Sequence, residues 1–125
     1  NEQELQYTIA GHIGNGNFHI IPLMDMSNKS ERDKIYKSAD KVFDLVWKYD
    51  GSMSGEHNDG LIRAPYLEEQ YGKDVYSIFK KVKEIFDPEE IFNPKKKIGV
   101  TKEYSSRFFI DDGSGRKILD YSATK

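Results

Sequence analysis

Three histidines and one glutamate stand where metal-assisted proton transfer could be built. His12 and His19 fall in the segment GHIGNGNFHI, and Glu56 and His57 fall together in GSMSGEHNDG. These are all the histidines of the chain, and both segments are rich in glycine. Asn15-Gly16 is the strongest short hairpin signal, because a type I′ turn needs positive φ at both central residues. A two-residue loop there sets Gly14 opposite Asn17, Ile13 opposite Phe18 and His12 opposite His19. Directly opposed residues hold their Cβ atoms ~4.5–5.5 Å apart on one face. Two imidazoles so placed can share one zinc-like cation, and glycine lets a ligand approach the backbone closely. Glu56 would complete a set of two histidines and one carboxylate, which leaves coordination positions open to substrate. His57 then remains as a general base near physiological pH. Along an ideal strand Glu56 and His57 point to opposite faces. Both reach one site only where the strand ends, which Gly55 and Gly60 permit. The same residues also read as a polar cross-strand pair, a surface carboxylate and an ordinary loop histidine. The spacing alone does not choose between these.

The elements that must position them follow from the pattern. Residues 5–13 and 17–24 read as two strands joined at Asn15-Gly16, with Pro22 moving the second toward an edge. Ser30 suits an N-cap, and Ile35, Ala39, Val42, Phe43 and Val46 recur at helical spacing, so the pattern predicts a helix over 31–49. Asp50-Gly51 ends it. Residues 51–60 read as a short strand running into a loop. Pro65 can open a turn or two of helix over 64–71, and Gly72 breaks the chain there. Val75, Ile78, Phe79, Val82 and Phe86 define a second helix over 73–86, stopped by Asp87-Pro88. One more turn over 88–92 precedes Asn93-Pro94. Lys95-Lys96-Lys97 reads as a solvated face or linker. Residues 106–121 suggest a last hairpin about Gly113-Ser114-Gly115.

Composition bounds the rest. The chain has 125 residues, enough for one modest core. Lys and Arg number 19 against 21 Asp and Glu, a balance that argues against a nucleic-acid or anionic-membrane partner. Eight Tyr and seven Phe make much of that core aromatic. Cysteine is absent, which excludes disulfides, iron–sulfur clusters and thiol catalysis within the chain. No apolar run approaches the ~20 residues of a membrane span. A cytoplasmic location is expected.

At the histidine segments the chain resembles a family. GHIGNGNFHI is similar to the GHxGDGNxH segment of FAD-linked oxidases and dehydrogenases of the vanillyl-alcohol oxidase type. SGEHNDGLIR is similar to their SGEHGxG segment, and DPEEIFNPKKKIG to their closing DPxxxLNPGKI. The order and spacing match across residues 11–99. Relatives of this kind include D-lactate, glycolate and D-2-hydroxyglutarate dehydrogenases. The resemblance implies that His12, His19 and Glu56 ligate a divalent metal, zinc or manganese, and that His57 takes the hydroxyl proton while hydride passes to FAD. It implies that Asn17 lines the substrate pocket and that Asn93 lies near the flavin. Arg63, six residues past His57, suits bidentate capture of a substrate carboxylate and equally suits a plain surface role.

The resemblance places the chain in the C-terminal part of such an enzyme, with FAD bound mainly by an N-terminal domain that has no counterpart here. The expected fold is α+β, an incomplete ferredoxin-like cap domain whose antiparallel sheet carries helices on one face. Residues 1–99 would form that domain and 100–125 an extension. The expected partners are a small 2-hydroxy acid, the FAD-binding domain of the same protein and, for the chain alone, a second copy of itself. Three positions depart from the family's motifs. Asn15 replaces Asp, removing a charge near the metal or strengthening the turn. Asn58 replaces Gly and must narrow the pocket or adopt positive φ. Lys95 replaces the Gly of NPGK on the flavin side. Two other classes stay open: a stand-alone His/His/Glu metal hydrolase, and an interaction module without catalysis.

Overall fold

A computed structural model describes residues 5–109. The fold is α+β, as expected: one antiparallel hairpin and a set of helices. Strand β1 is Gln6–Ala10 and β2 is His19–Leu23. Their register pairs Gln6 with Leu23, Thr8 with Ile21 and Ala10 with His19. His19 therefore faces Ala10, not His12, and the expected two-residue turn is replaced by a loop over 11–18. The reason is local. Ile13–Asn15 winds into a 3-10 turn, with Asn15 N–H donating to His12 O at 2.8 Å and Gly16 N–H to Ile13 O at 3.0 Å. Gly16 alone takes the left-handed conformation, at φ 68°, while a type I′ turn needs two such residues. The shift is two residues, so each side chain keeps the face it was expected to occupy.

Helix α1, Lys29–Arg32, and α2, Lys34–Lys48, together fill the span predicted as one helix. The cap is Asn28, not Ser30: its Oδ1 accepts from Ser30 N–H at 2.9 Å. An Asx side chain reaches the backbone two residues on and satisfies a free amide of the first turn. Helix α2 ends where Asp50 turns left-handed (φ 55°) and Gly51 N–H closes on Val46 O at 2.9 Å. Residues 51–59 form a loop; the short strand expected there is absent among the described residues. Helix α3 is Gly60–Arg63, a 3-10 turn holds Pro65, and α4 runs Leu67–Phe86. Gly72 interrupts α4 with φ 79° and ψ 161°, the break its position predicted. Helix α5, Lys102–Ser106, is capped by Thr101. Residues 107–109 turn on from α5, so the first arm of the expected last hairpin does not start as a strand; the remainder lies outside the described residues.

The core lies among the helices. Met53, Ala64, Tyr66, Leu67, Tyr76 and Val100 are buried, and Tyr36, Ala39, Phe43 and Trp47 of α2 pack against them. Tyr66 meets Phe43 edge to face at 4.8 Å, a preferred geometry for aromatic pairs. Gln70 Oε1 accepts from Trp47 Nε1 at 2.8 Å and from Met53 N–H at 3.0 Å, so one amide ties α2, the following loop and α4. Val100 and α5 belong to this same body: Tyr36 bonds Ser105, and Asp40 accepts from both Lys102 and Tyr66. No residue of β1 or β2 is buried. Among the described residues no helix is long and apolar enough to cross a membrane.

Two carboxyls make this body acid-sensitive. Burial alone would raise Asp40, but the hydrogen bonds from Lys102 and Tyr66 outweigh it and hold it below its ordinary value. Asp87, at the end of α4, is held low chiefly by the Lys83 ammonium, with further help from the Ile91 and Phe92 amides. A carboxyl lowered by folding stabilises fully above its unfolded pKa of about 4 and loses that contribution as pH falls through the folded value. The thermal midpoint followed by circular dichroism is therefore expected to hold steady from pH 7 to about 5 and to drop below about 4. Asp87→Asn should flatten that drop. An unchanged acid profile in this variant would remove Asp87 from the account.

Candidate metal centre

The loop over 11–18 and the loop over 51–59 meet at Glu56. His19 opens β2 and points its Nε2 at Glu56 Oε1, 2.8 Å away. His57 Nε2 reaches the same oxygen at 3.2 Å. His12, at the entrance to the 3-10 turn, lies 3.4 Å from Glu56 Oε2. The register shift thus costs His12 its place opposite His19 but not its reach to Glu56, because the 3-10 turn folds it back over the carboxylate. The rings of His19 and His57 lie 5.0 Å apart, tilted by 55°. Ligand atoms of His19, Glu56 and His57 all fall within 4.8 Å of one another; His12 is outside that tighter group. His19 is the sheltered member, with its side chain 25% exposed against 64% for His12 and 66% for His57.

The donor set suits a divalent cation. Two or three imidazoles and one carboxylate are the nitrogen and oxygen ligands that zinc and manganese accept, and the exposed side leaves room for further ligands. Glu56 lies between all three rings, so it can bridge or ligate without a large movement.

The loop carrying Glu56 and His57 is held from behind. Asn58 takes φ 58°, and Gly60 follows at φ 57°. Lys97 Nζ donates to Asn58 Oδ1 at 2.9 Å and pairs with Asp59 Oδ2 at 2.8 Å. Asp59 is buried, so this ion pair anchors the loop. Arg63 Nη1 donates to the Asn58 carbonyl at 2.7 Å, and in this state that nitrogen serves the loop. Asn17 packs on the other loop beside Gly55. Its Oδ1 is shut off from water and has no hydrogen-bond partner. Asn93 sits in an exposed turn at φ 47° and is not part of this cluster. Lys97 had no sequence signal, since a run of three lysines reads as solvated surface. Its role depends on a partner 39 residues away.

The chain belongs to the family of FAD linked oxidases, C-terminal domain, whose match covers residues 1–97. It is similar to the glycolate oxidase subunit GlcD of Bacillus subtilis (strain 168), 36% identical over 69% of this chain and 18% of that protein. It is similar to the probable mitochondrial D-lactate dehydrogenase of Danio rerio, 31% identical over 75% of this chain and 19% of that one. A third relative is the D-2-hydroxyglutarate dehydrogenase of Escherichia coli (strain K12), 35% identical over 74% of this chain and 9% of that enzyme. The chain thus spans a fifth or less of the length of these relatives. No solved structure matches it.

Proposed function

We propose that this chain supplies the cation-binding and proton-accepting side of an FAD-dependent oxidoreductase that converts a 2-hydroxy acid to a 2-oxo acid, within a protein that also carries an FAD-binding domain. The observation that supports this most is the convergence of three imidazoles on one carboxylate, at 2.8, 3.2 and 3.4 Å. In this reading His12, His19 and Glu56 hold the divalent metal, zinc or manganese. A cation held there would acidify the substrate hydroxyl, and FAD, when bound, would supply the hydride acceptor that no side chain can provide. His57 receives the hydroxyl proton. His57 Nε2 lies 3.2 Å from Glu56 Oε1, so a proton carried on that nitrogen would leave Nδ1 as the acceptor. In this reading Arg63 would capture the substrate carboxylate, Asn17 would line the substrate pocket and Asn93 would lie near the flavin.

Metal analysis after reconstitution tests the ligand assignment. Wild type is expected to hold about one zinc or manganese per chain, and His12→Ala and His19→Ala substantially less. The loss should be greater for His19, the sheltered ligand. Equal occupancy in all three proteins would count against the assignment. Hydrolytic turnover with metal alone, without flavin, would favour a metal hydrolase instead.

A further inference from the structure

The two loops that make the centre also meet where Asn17 lies against Gly55. A methyl group built on Gly55 would stand 2.7 Å from Asn17 Nδ2, closer than real side chains come. Asn17 is itself wedged from the other side: a methyl on Gly11 would lie 2.5 Å from the Asn17 carbonyl oxygen. Its N–H donates to His12 O at 3.2 Å, which fixes the loop that carries His12. The side-chain oxygen is buried without a partner. A buried amide oxygen left so is normally unfavourable. The amide is therefore held in place by packing at the seam between the loops, with no hydrogen bond to reward it. Asn17 precedes His19 by two residues, and Gly55 directly precedes Glu56. The contact sits two residues before His19 on one loop and one before Glu56 on the other.

We infer that Asn17 and Gly55 form the spacer that sets how closely the two loops approach, and so the distance between His19 and the Glu56-His57 pair. This rests on the proposed metal reading only for its metal arm. Asn17 is a positioning residue in this role: it acts through the ligands on either side. A side chain at 55 would push on the end of the Asn17 amide, whose oxygen is already buried and has little room to move aside. Asparagine at 17 is needed because its bulk fills the space that glycine leaves open. Ligand geometry set from behind in this way is worth ~10–100-fold in metal affinity when lost.

The test uses the full 125-residue chain and four proteins: wild type, Gly55→Val, Asn17→Gln and the double variant Gly55→Val/Asn17→Ala. Two readouts are taken. The first is the cross-relaxation between the His19 and His57 rings in metal-free protein, which reports the loop spacing directly. The second is zinc affinity by calorimetry, with helical circular dichroism as the check on folding. Gly55→Val is expected to keep its helices, lose the ring-to-ring signal and bind zinc ~10–100-fold more weakly. Asn17→Gln, which lengthens the other side of the same contact, should do likewise and covers the case in which Gly55→Val fails to fold. The double variant should regain both, because the valine enters the space the amide vacates. A role in general stability alone would not be rescued in this way. Retention of the ring-to-ring signal in both single variants would overturn the inference. Wild-type protein that shows the signal but binds no zinc would overturn the metal reading and leave the spacer standing.

Discussion

Exchanging His57 for Ala is expected to lower kcat of the flavin-bound protein by ~10²–10⁴ while its divalent-metal content stays unchanged. The expectation follows from where His57 stands. It lies at the exposed rim of the cluster, two-thirds open to solvent, while His19 is the sheltered member. A proton acceptor must meet the substrate and then return its proton to solvent, and the rim offers both. Removal of a base and removal of a ligand differ in what they carry away. Loss of the base leaves the cation and most substrate binding in place, so kcat falls and KM moves little. Loss of a ligand takes the cation with it. The distinction is sharp here because the ligand atoms of His57, His19 and Glu56 are close enough to serve one ion. Turnover measured together with metal content decides it. Full activity in His57→Ala would end the base assignment. Activity and metal lost together would make His57 a ligand.

Gly11→Ala is expected to abolish the centre while leaving the helical melt almost unmoved. Gly11 takes φ 134°, a conformation that costs an L-residue about 1–3 kcal/mol. The added methyl would also sit 2.5 Å from Asn17 O and 3.1 Å from Phe18 Cα, both backbone atoms that cannot swing away. The loop must open, and His12 and His19 leave Glu56. No strand residue is buried in the helical core, so the hairpin can yield without the rest. Hydrogen exchange should therefore show lost protection across residues 6–23 and unchanged protection in α2 and α4. A cooperative fall of both would mean that the hairpin and the helices unfold as one unit.

That three imidazoles and Glu56 fall in two glycine-rich loops was legible in the sequence, because imidazoles are few and such segments are distinctive. Their geometry was not. Asn15-Gly16 signals a turn, but the same two residues serve a type I′ hairpin or the end of a 3-10 turn, and here Gly16 takes positive φ while Asn15 does not. Helix α2 and the break at Gly72 were readable because their cause is local: apolar spacing and one residue's φ. Tyr66, the aromatic hub beneath Phe43, gave no periodic signal, since it sits in a 3-10 turn between two helices. The Lys97 anchor on Asp59 and the Gln70 bridge were equally hidden. Each joins residues far apart in the chain, and their side chains look like ordinary surface groups until the fold brings them together.

Asn58 and Lys95 stand where the family's motifs carry glycine, and both hold the backbone that glycine would hold, at φ 58° and φ 53°. An L-residue there costs about 1–2 kcal/mol, asparagine less than most. Glycine in turn gives the unfolded chain about 0.4–1 kcal/mol of extra freedom to lose. The second recovers about half of the first, and at position 58 the Lys97 hydrogen bond narrows the difference further. Exchange of glycine for asparagine at 58 thus costs less than the same exchange for lysine at 95. The dihedral angles of these two turns should then outlast their letters, and a distant relative would be easier to find by its pattern of left-handed positions than by counting its glycines.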